Sequence, residues 1–139
     1  TVNVLHSMLL TDGPHCVRTP AYYAFELLKP HRSKTALRFE SDERDSVGLS
    51  VSVSRQDGEV ALTCVNPKPD ETLRLECVLA GAAAASASAR LLHHPDLNAC
   101  NTFEKPDVIV PKDHPVEVTR ASVRLELPPL SVATATVKL

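Results

Sequence analysis

The chain has 139 residues, the length of about one domain. Its 15 Lys+Arg against 17 Asp+Glu leave a net charge of −2, with a pI near 6.3, and that balance argues against an electrostatic nucleic-acid binder. A hydrophobic content of 43% with 23% charged residues is that of an ordinary globular domain and not of a disordered chain.

Residues 1–34 stand apart, holding both tyrosines, the only methionine and three of the six histidines. The chain opens inside an apolar pattern (Val2, Val4, Leu5, Met8, Leu9, Leu10), which reads as the cut edge of something larger. No basic stretch precedes these residues, so they do not form a signal peptide, and no run approaches the roughly 18 apolar residues of a membrane span. Over 1–11 the pattern is ambiguous between helix and buried strand, because periodicity does not separate the two in short apolar runs. Thr19-Pro20 predicts a helix start, a hydroxyl N-cap followed by proline at the first helical position. Tyr22, Phe25 and Leu28 then recur at spacing three and predict one apolar face, and Pro30 ends a helix of about 20–29.

After residue 35 the period changes to two. Val47, Leu49, Val51 and Val53 alternate with Gly48, Ser50, Ser52 and Ser54, the pattern of a half-buried strand. Asp57-Gly58 predicts a tight hairpin, with Val60, Leu62 and Cys64 alternating on the return. Asn66-Pro67-Lys68-Pro69-Asp70 reads as a turn, and Leu73, Leu75, Cys77 and Leu79 as the next inward face. The Ala/Ser run at 81–89 is read as a loop or irregular edge. Further strands are predicted at 108–110, 116–118, 123–127 and 132–137, punctuated by Pro111, Pro115, Pro128 and Pro129. Many short strands between turn signals point to a mainly β fold, an antiparallel sandwich.

No motif carries chemistry on its own. The cluster Glu40-Ser41-Asp42-Glu43-Arg44-Asp45 reads as a solvated loop and lacks the ligand spacing of a calcium loop. His93-His94-Pro95-Asp96 is the best metal candidate, but adjacent strand side chains face opposite ways, and a surface turn is the simpler reading. His6 and His15 lack a second ligand pair, and His114 reads as an exposed loop residue. The basic stretch Lys29, His31, Arg32, Lys34 and Arg38 has no interleaved aromatic platform. Four glycines (Gly13, Gly48, Gly58, Gly81) form no nucleotide loop, and no G-x-S-x-G elbow exists. Cys16, Cys64, Cys77 and Cys100 form no C-x-x-C pair and read as free, buried thiols in a reducing compartment. Without tryptophan, and with only Phe39 and Phe103 in the β region, a sugar platform is thin, and both read as core residues.

Four stretches together carry a family resemblance. The opening T-V-N-V-L-H-S-M-L-L-T-D-G with R-T-P-A-Y-Y-A-F-E-L-L-K-P-H resembles the last barrel segment of glycoside hydrolase family 51 α-L-arabinofuranosidases. Residues 49–66, L-S-V-S-V-S-R-Q-D-G-E-V-A-L-T-C-V-N, resemble the first long hairpin of that family's C-terminal domain. Residues 98–106, N-A-C-N-T-F-E-K-P, are similar to its N-x-x-N-T-F-E-x-P element, and L-P-P-L-S-V to its closing strand. The resemblance implies a (β/α)8 barrel followed by a jelly-roll-like β-sandwich. It also implies release of terminal non-reducing α-L-arabinofuranosyl residues with retention, through two barrel glutamates upstream of anything matched here. A barrel takes about 200 residues or more, so this chain has no room for one. On this reading residues 1–34 are the remnant of the last barrel unit and 35–139 the C-terminal sandwich. No catalytic, cofactor-binding or metal-ligating residue is assigned; Glu104 matches a sandwich position outside the catalytic pair. The implied partners are the barrel of the same parent chain and further copies in a homo-oligomer, in the cytoplasm, with no nucleic acid and no membrane. Without its barrel, the 1–34 stretch is expected to be frayed, rearranged or packed on another copy. A free-standing carbohydrate-binding module is the alternative.

Overall fold

The computed structural model describes residues 3–4, 7–41 and 49–139. It opens with a hairpin of β1 (Leu9–Asp12) and β2 (His15–Arg18), followed by α1 (Pro20–Leu27) and a 3-10 turn at Lys29–His31. The strands β3 (Thr35–Ala36), β4 (Ser50–Gln56), β5 (Glu59–Asn66), β6 (Leu73–Val78) and β7 (Ser86–Leu92) come next. The chain closes with β8 (Lys112–His114), β9 (Glu117–Val118), β10 (Ser122–Leu127) and β11 (Ser131–Lys138). Six strands pair antiparallel in the order β3-β4-β5-β11-β7-β8, and three more in the order β6-β10-β9.

The two sheets face each other across one apolar core, the mainly β sandwich that the alternation predicts. Leu62 and Cys64 of β5, Ala89 of β7, and Ala133 and Ala135 of β11 meet Leu125 and Leu127 of β10, with Leu73, Leu75 and Cys77 packed beside them. The hairpin at Asp57-Gly58 has positive φ at both residues (48° and 78°), the geometry that joins right-twisted strands most directly. The predicted strand from Val47 begins at Ser50; Val47 itself, like His6 and Asp42 to Asp45 of the acidic cluster, lies outside the described residues.

One buried amide ties the turns of the two sheets together. Asn66 is fully buried at the end of β5, and its side-chain N–H groups donate to the carbonyls of Glu71 (2.8 Å), Leu127 (3.0 Å) and Pro128 (2.9 Å). Its oxygen accepts from the Lys68 N–H at 3.1 Å. The Glu71 and Leu127 carbonyls thereby gain a side-chain partner, and the Pro128 carbonyl a second one beside the Ser131 hydroxyl.

The described part of the N-terminal segment is built onto the outer face of the large sheet, where the sequence leads to the expectation of a stretch frayed, rearranged or packed on another copy. Tyr23 and Leu27, one helical turn apart, are buried against Leu92 and Ile109. Below them His31 bonds Ser54 through Nδ1 and Thr63 through Nε2, both at 2.8 Å, and Thr63 bonds Thr134 at 2.7 Å. This cover is why Ser54, Thr63 and Thr134 are buried although they point away from the core. Lys34, reaching from the same segment, pairs with Glu59.

Four local expectations are corrected. The helix ends at Leu27, and its packed face is Tyr23 and Leu27, while Phe25 is 61% exposed. Thr19 caps no helical N–H; its hydroxyl donates to the Ser7 carbonyl at 2.7 Å and so holds the strand entering the hairpin. The Ala/Ser run is a loop only over 81–85; residues 86–89 open β7, held by ladder bonding to β11, and β8 pairs on the other side only from Ala89 onward. Residues 108–110 join no sheet; the backbone of Ile109 pairs with a side chain, as described below.

Removing the Asn66 amide takes a side-chain partner from these three carbonyls. Asn66→Ala should lower unfolding stability by about 3 kcal/mol, measured by urea denaturation. His31 also gives a pH signature. Burial, and secondly the charge of Lys34, hold its pKa below 6.5. The unfolded chain therefore takes up this proton first as pH falls, and stability declines downward from about pH 6.5 until the folded-state pKa is passed. His31→Gln should flatten that part of the stability-versus-pH curve.

Candidate functional site

A groove forms where the β1–β2 hairpin meets the loop that follows β7. Two residues, Gly13 and Pro14, close the hairpin, with Asp12 facing His15 across it. Gly13 has φ +53°, which a side chain would strain, and the following proline fixes the rest of the turn.

The opposite wall is positioned by Asn101, which is 3% exposed. Its side-chain oxygen accepts from the Ile109 N–H at 2.7 Å, and its N–H groups donate to the carbonyls of Ile109 and Arg18, both at 2.9 Å. The amide behaves as a short piece of strand, pairing with Ile109 on one side and with the end of β2 on the other. Arg18 is held a second time, its guanidinium lying 5.2 Å from the Tyr22 ring centroid. Between Asn101 and Ile109 the loop is closed by the Thr102 N–H donating to the Lys105 carbonyl (3.0 Å) and the Lys105 N–H donating to the Thr102 hydroxyl (3.1 Å). Asp12, His15, Cys16 and Val17 on one side, with Phe103, Glu104 and Pro106 on the other, line a cavity of about 350 Å³ open to solvent.

Neither carboxylate whose pKa the fold shifts is raised, as a general acid would be. Glu104 is held below the usual carboxylate range by its own backbone N–H and by the Thr102 hydroxyl, against a smaller opposing effect of burial. Glu76, on the small sheet, is lowered by the Ser122 hydroxyl and by Arg124. A general acid working near neutrality needs the opposite shift. Among the described residues, no three His, Cys, Asp or Glu side chains converge to hold a metal ion.

The other candidates from the sequence fall into place separately. His94 belongs to a surface turn, where its Nδ1 accepts from the Asp96 N–H at 3.1 Å, while His93 has a buried Nδ1 with no hydrogen-bond partner. His114 is no loop residue; it lies in β8, and its Nε2 meets the Glu126 carbonyl at 2.6 Å, linking the two sheets. The basic stretch is spent on Lys29–Glu26, Lys34–Glu59 and Arg38–Glu40 pairs and on the His31 network. Phe39 and Phe103 are both exposed, correcting their reading as core residues, because each lies in irregular chain outside the ladders. Cys64 is buried and Cys77 half-buried, as filler side chains; Cys16 and Cys100 are exposed, and all four are free. The site residues that the sequence reading missed are Asp12, His15 and Phe103; the signal for the hairpin was Asp12-Gly13-Pro14.

Residues 1–131 match the family model of the α-L-arabinofuranosidase C-terminal domain. The chain belongs to that family. An intracellular exo-α-L-arabinofuranosidase of Bacteroides ovatus is 30% identical over 96% of this chain, which spans 28% of that protein. Among solved structures, the family 51 arabinofuranosidase of Xanthomonas axonopodis pv. citri superposes with a TM-score of 0.87 at 24% identity, over 99% of this chain and 30% of that one. The Thermotoga maritima α-L-arabinofuranosidase follows at 0.80 and 21% identity, over 100% of this chain and 33% of that one. The chain thus spans less than a third of the length of these relatives, and it carries the β-sandwich of the family.

The thiols report on this placement. Burial pushes the Cys64 thiol up to about 12, and burial also raises Cys77, so neither forms a ready thiolate. Ellman's reagent at pH 8 should modify Cys16 and Cys100 first, and Cys64 only after unfolding. Mass mapping of the labelled peptides checks the order.

Proposed function

We propose that this chain is the C-terminal part of an intracellular α-L-arabinofuranosidase. In this reading residues 35–139 are its β-sandwich domain and residues 1–34 complete a (β/α)8 catalytic barrel with its last helical unit. The match over 1–131 to the C-terminal domain family carries the reading. The whole enzyme hydrolyses terminal non-reducing α-L-arabinofuranosyl residues, in keeping with the exo activity in the name of the Bacteroides ovatus relative. Its acid/base and nucleophile lie on the barrel, and this chain supplies neither, nor a cofactor or metal ligand.

The helix supports a barrel partner. One side of α1 is buried on the sandwich through Tyr23 and Leu27, while Phe25 (61% exposed) and Leu28 (44%) form a second apolar edge with nothing over it. A helix at the junction of a sandwich and a barrel needs apolar contact on both sides. Further copies of the chain complete a homo-oligomer, to which exposed apolar residues such as Val78 and Leu97 are suited. A cytoplasmic setting accords with the relative's intracellular name and with four free cysteines. No helix among the described residues is long and apolar enough to cross a membrane. A free-standing sugar-binding module has less support, since the exposed Phe25, Phe39 and Phe103 sit on three separate elements.

The test is a graft. The Bacteroides ovatus enzyme without its matching C-terminal segment should not cleave 4-nitrophenyl α-L-arabinofuranoside, and this chain alone should not either. Joined in place of the missing segment, this chain should restore turnover. Activity of the chain alone, or a folded but inactive graft, overturns the proposal.

A further inference from the structure

We propose that the groove between the Gly13-Pro14 hairpin tip and the 103–106 loop is a saccharide subsite, which holds a neutral sugar ring of an arabinofuranosyl-bearing oligosaccharide beside the bond to be cut. The choice of that sugar and its place beside the catalytic centre rest on the function proposed above; the groove's preference for a neutral sugar rests on the groove itself.

Its size is the first argument. About 350 Å³ falls within the range of small-molecule pockets, which begins at roughly 300 Å³. Its walls are of two kinds. Phe103, 42% exposed, lies with Pro106 as an apolar surface suited to the C–H face of a sugar, over the buried Val17. Asp12, Glu104 and His15 offer acceptors, and His15 also a donor, to ring hydroxyls. The other ligand classes fit worse. Two carboxylates repel a phosphate or a uronic acid, and Glu104 is kept ionised by the Thr102 hydroxyl and its own N–H. For a metal ion the ligating groups do not converge.

Rigidity is the second argument. Asn101 fastens one wall at Arg18 and the other at Ile109, so the groove is shaped before a ligand arrives and little ordering is lost on binding. Placement is the third. The hairpin stands directly before α1, in the segment joining the last barrel strand to its helix on the proposed reading. Such strand-to-helix loops form the catalytic face of every (β/α)8 barrel enzyme. The sandwich loop carrying Phe103 therefore reaches that face by packing on the hairpin.

The experiment is an NMR titration of the 15N-labelled chain with α-1,5-linked arabinotriose at millimolar concentrations, with trigalacturonic acid as the anionic comparison. Amide shifts should concentrate in residues 12–17 and 102–107 for the neutral sugar, and be weaker for the acid. Phe103→Ala should weaken binding at least about threefold without changing the melting temperature, and Phe25→Ala should leave it unchanged. Absent shifts, shifts centred elsewhere, equal binding of the acid, or unaltered binding by Phe103→Ala each overturn the subsite. In the graft described above, Phe103→Ala should raise KM for arabinotriose by a larger factor than it raises KM for 4-nitrophenyl arabinofuranoside. An active graft without that split removes the subsite and leaves the function standing; an inactive graft removes the function, while sugar binding by the chain alone still decides the subsite.

Discussion

The side-chain amide of Asn101 is the constraint on which the N-terminal half of this structure depends. It sits in the interior, where an unpaired amide is costly, and it is paired to the backbone of Ile109 on one side and to the end of β2 on the other. Those bonds decide where the hairpin stands relative to the sandwich. The hairpin in turn sets the start of α1, through Thr19 bonded to the Ser7 carbonyl and Arg18 laid on Tyr22. The Tyr23 and Leu27 side chains can then meet Leu92 and Ile109 only because Ile109 has been fixed in place by the same amide. A single buried polar group thus joins two segments 83 residues apart in sequence, the end of β2 and the loop after β7, which an apolar contact of equal size lacks the directionality to do.

This arrangement makes the molecule three layers thick. β5 and β11 are buried on both faces, by the small sheet within and by the N-terminal segment without. The inner face is filled with Leu62, Cys64, Ala133 and Ala135, and the outer with Thr63 and Thr134, whose hydroxyls must find partners. His31 supplies them, with both ring nitrogens engaged. A neutral imidazole, donor on one nitrogen and acceptor on the other, suits two hydroxyls that can each play either part. That is how the segment around His31 and Lys34 is held to the outer face of the large sheet, and why a purely apolar cover is not required.

The β architecture was legible in the sequence because its signal is local: strict alternation along β4, β5 and β6, and Asp57-Gly58 where both residues need positive φ. What failed to read was settled at long range. Residues 108–110 have the composition of a strand, but their partner is one side chain 8 residues away and not a ladder. The second half of the Ala/Ser run has a helical composition, yet from Ser86 its backbone groups are taken up by the long strand β11 beside it. On α1, Phe25 and Leu28 are as apolar as Tyr23 and Leu27, so spacing alone could not say which edge meets the sandwich. The site was legible only by half. The N-x-x-N-T-F-E-x-P element drew attention to one wall, but nothing in its spacing said that the Gly13-Pro14 turn, more than eighty residues earlier, forms the other.

On the proposed reading, in which the catalytic pair lies on a barrel, the sandwich need not be neutral toward catalysis. The two carboxylates that this fold perturbs are both held ionised, so neither is a proton donor at neutral pH. An ionised carboxylate is nonetheless a strong acceptor for sugar hydroxyls, and an exposed phenylalanine is a surface for the sugar's apolar face. Binding energy gathered away from the reacting bond lowers the barrier when it positions the substrate, because the entropy of orientation is then lost before the chemical step. The Asn101 staple gives the 103–106 loop the rigidity this requires, and on the proposed reading the hairpin gives it a place at the strand-to-helix edge of a barrel. The same buried amide that holds the hairpin to the loop would then also set how far the sandwich reaches toward a substrate cleaved on that barrel.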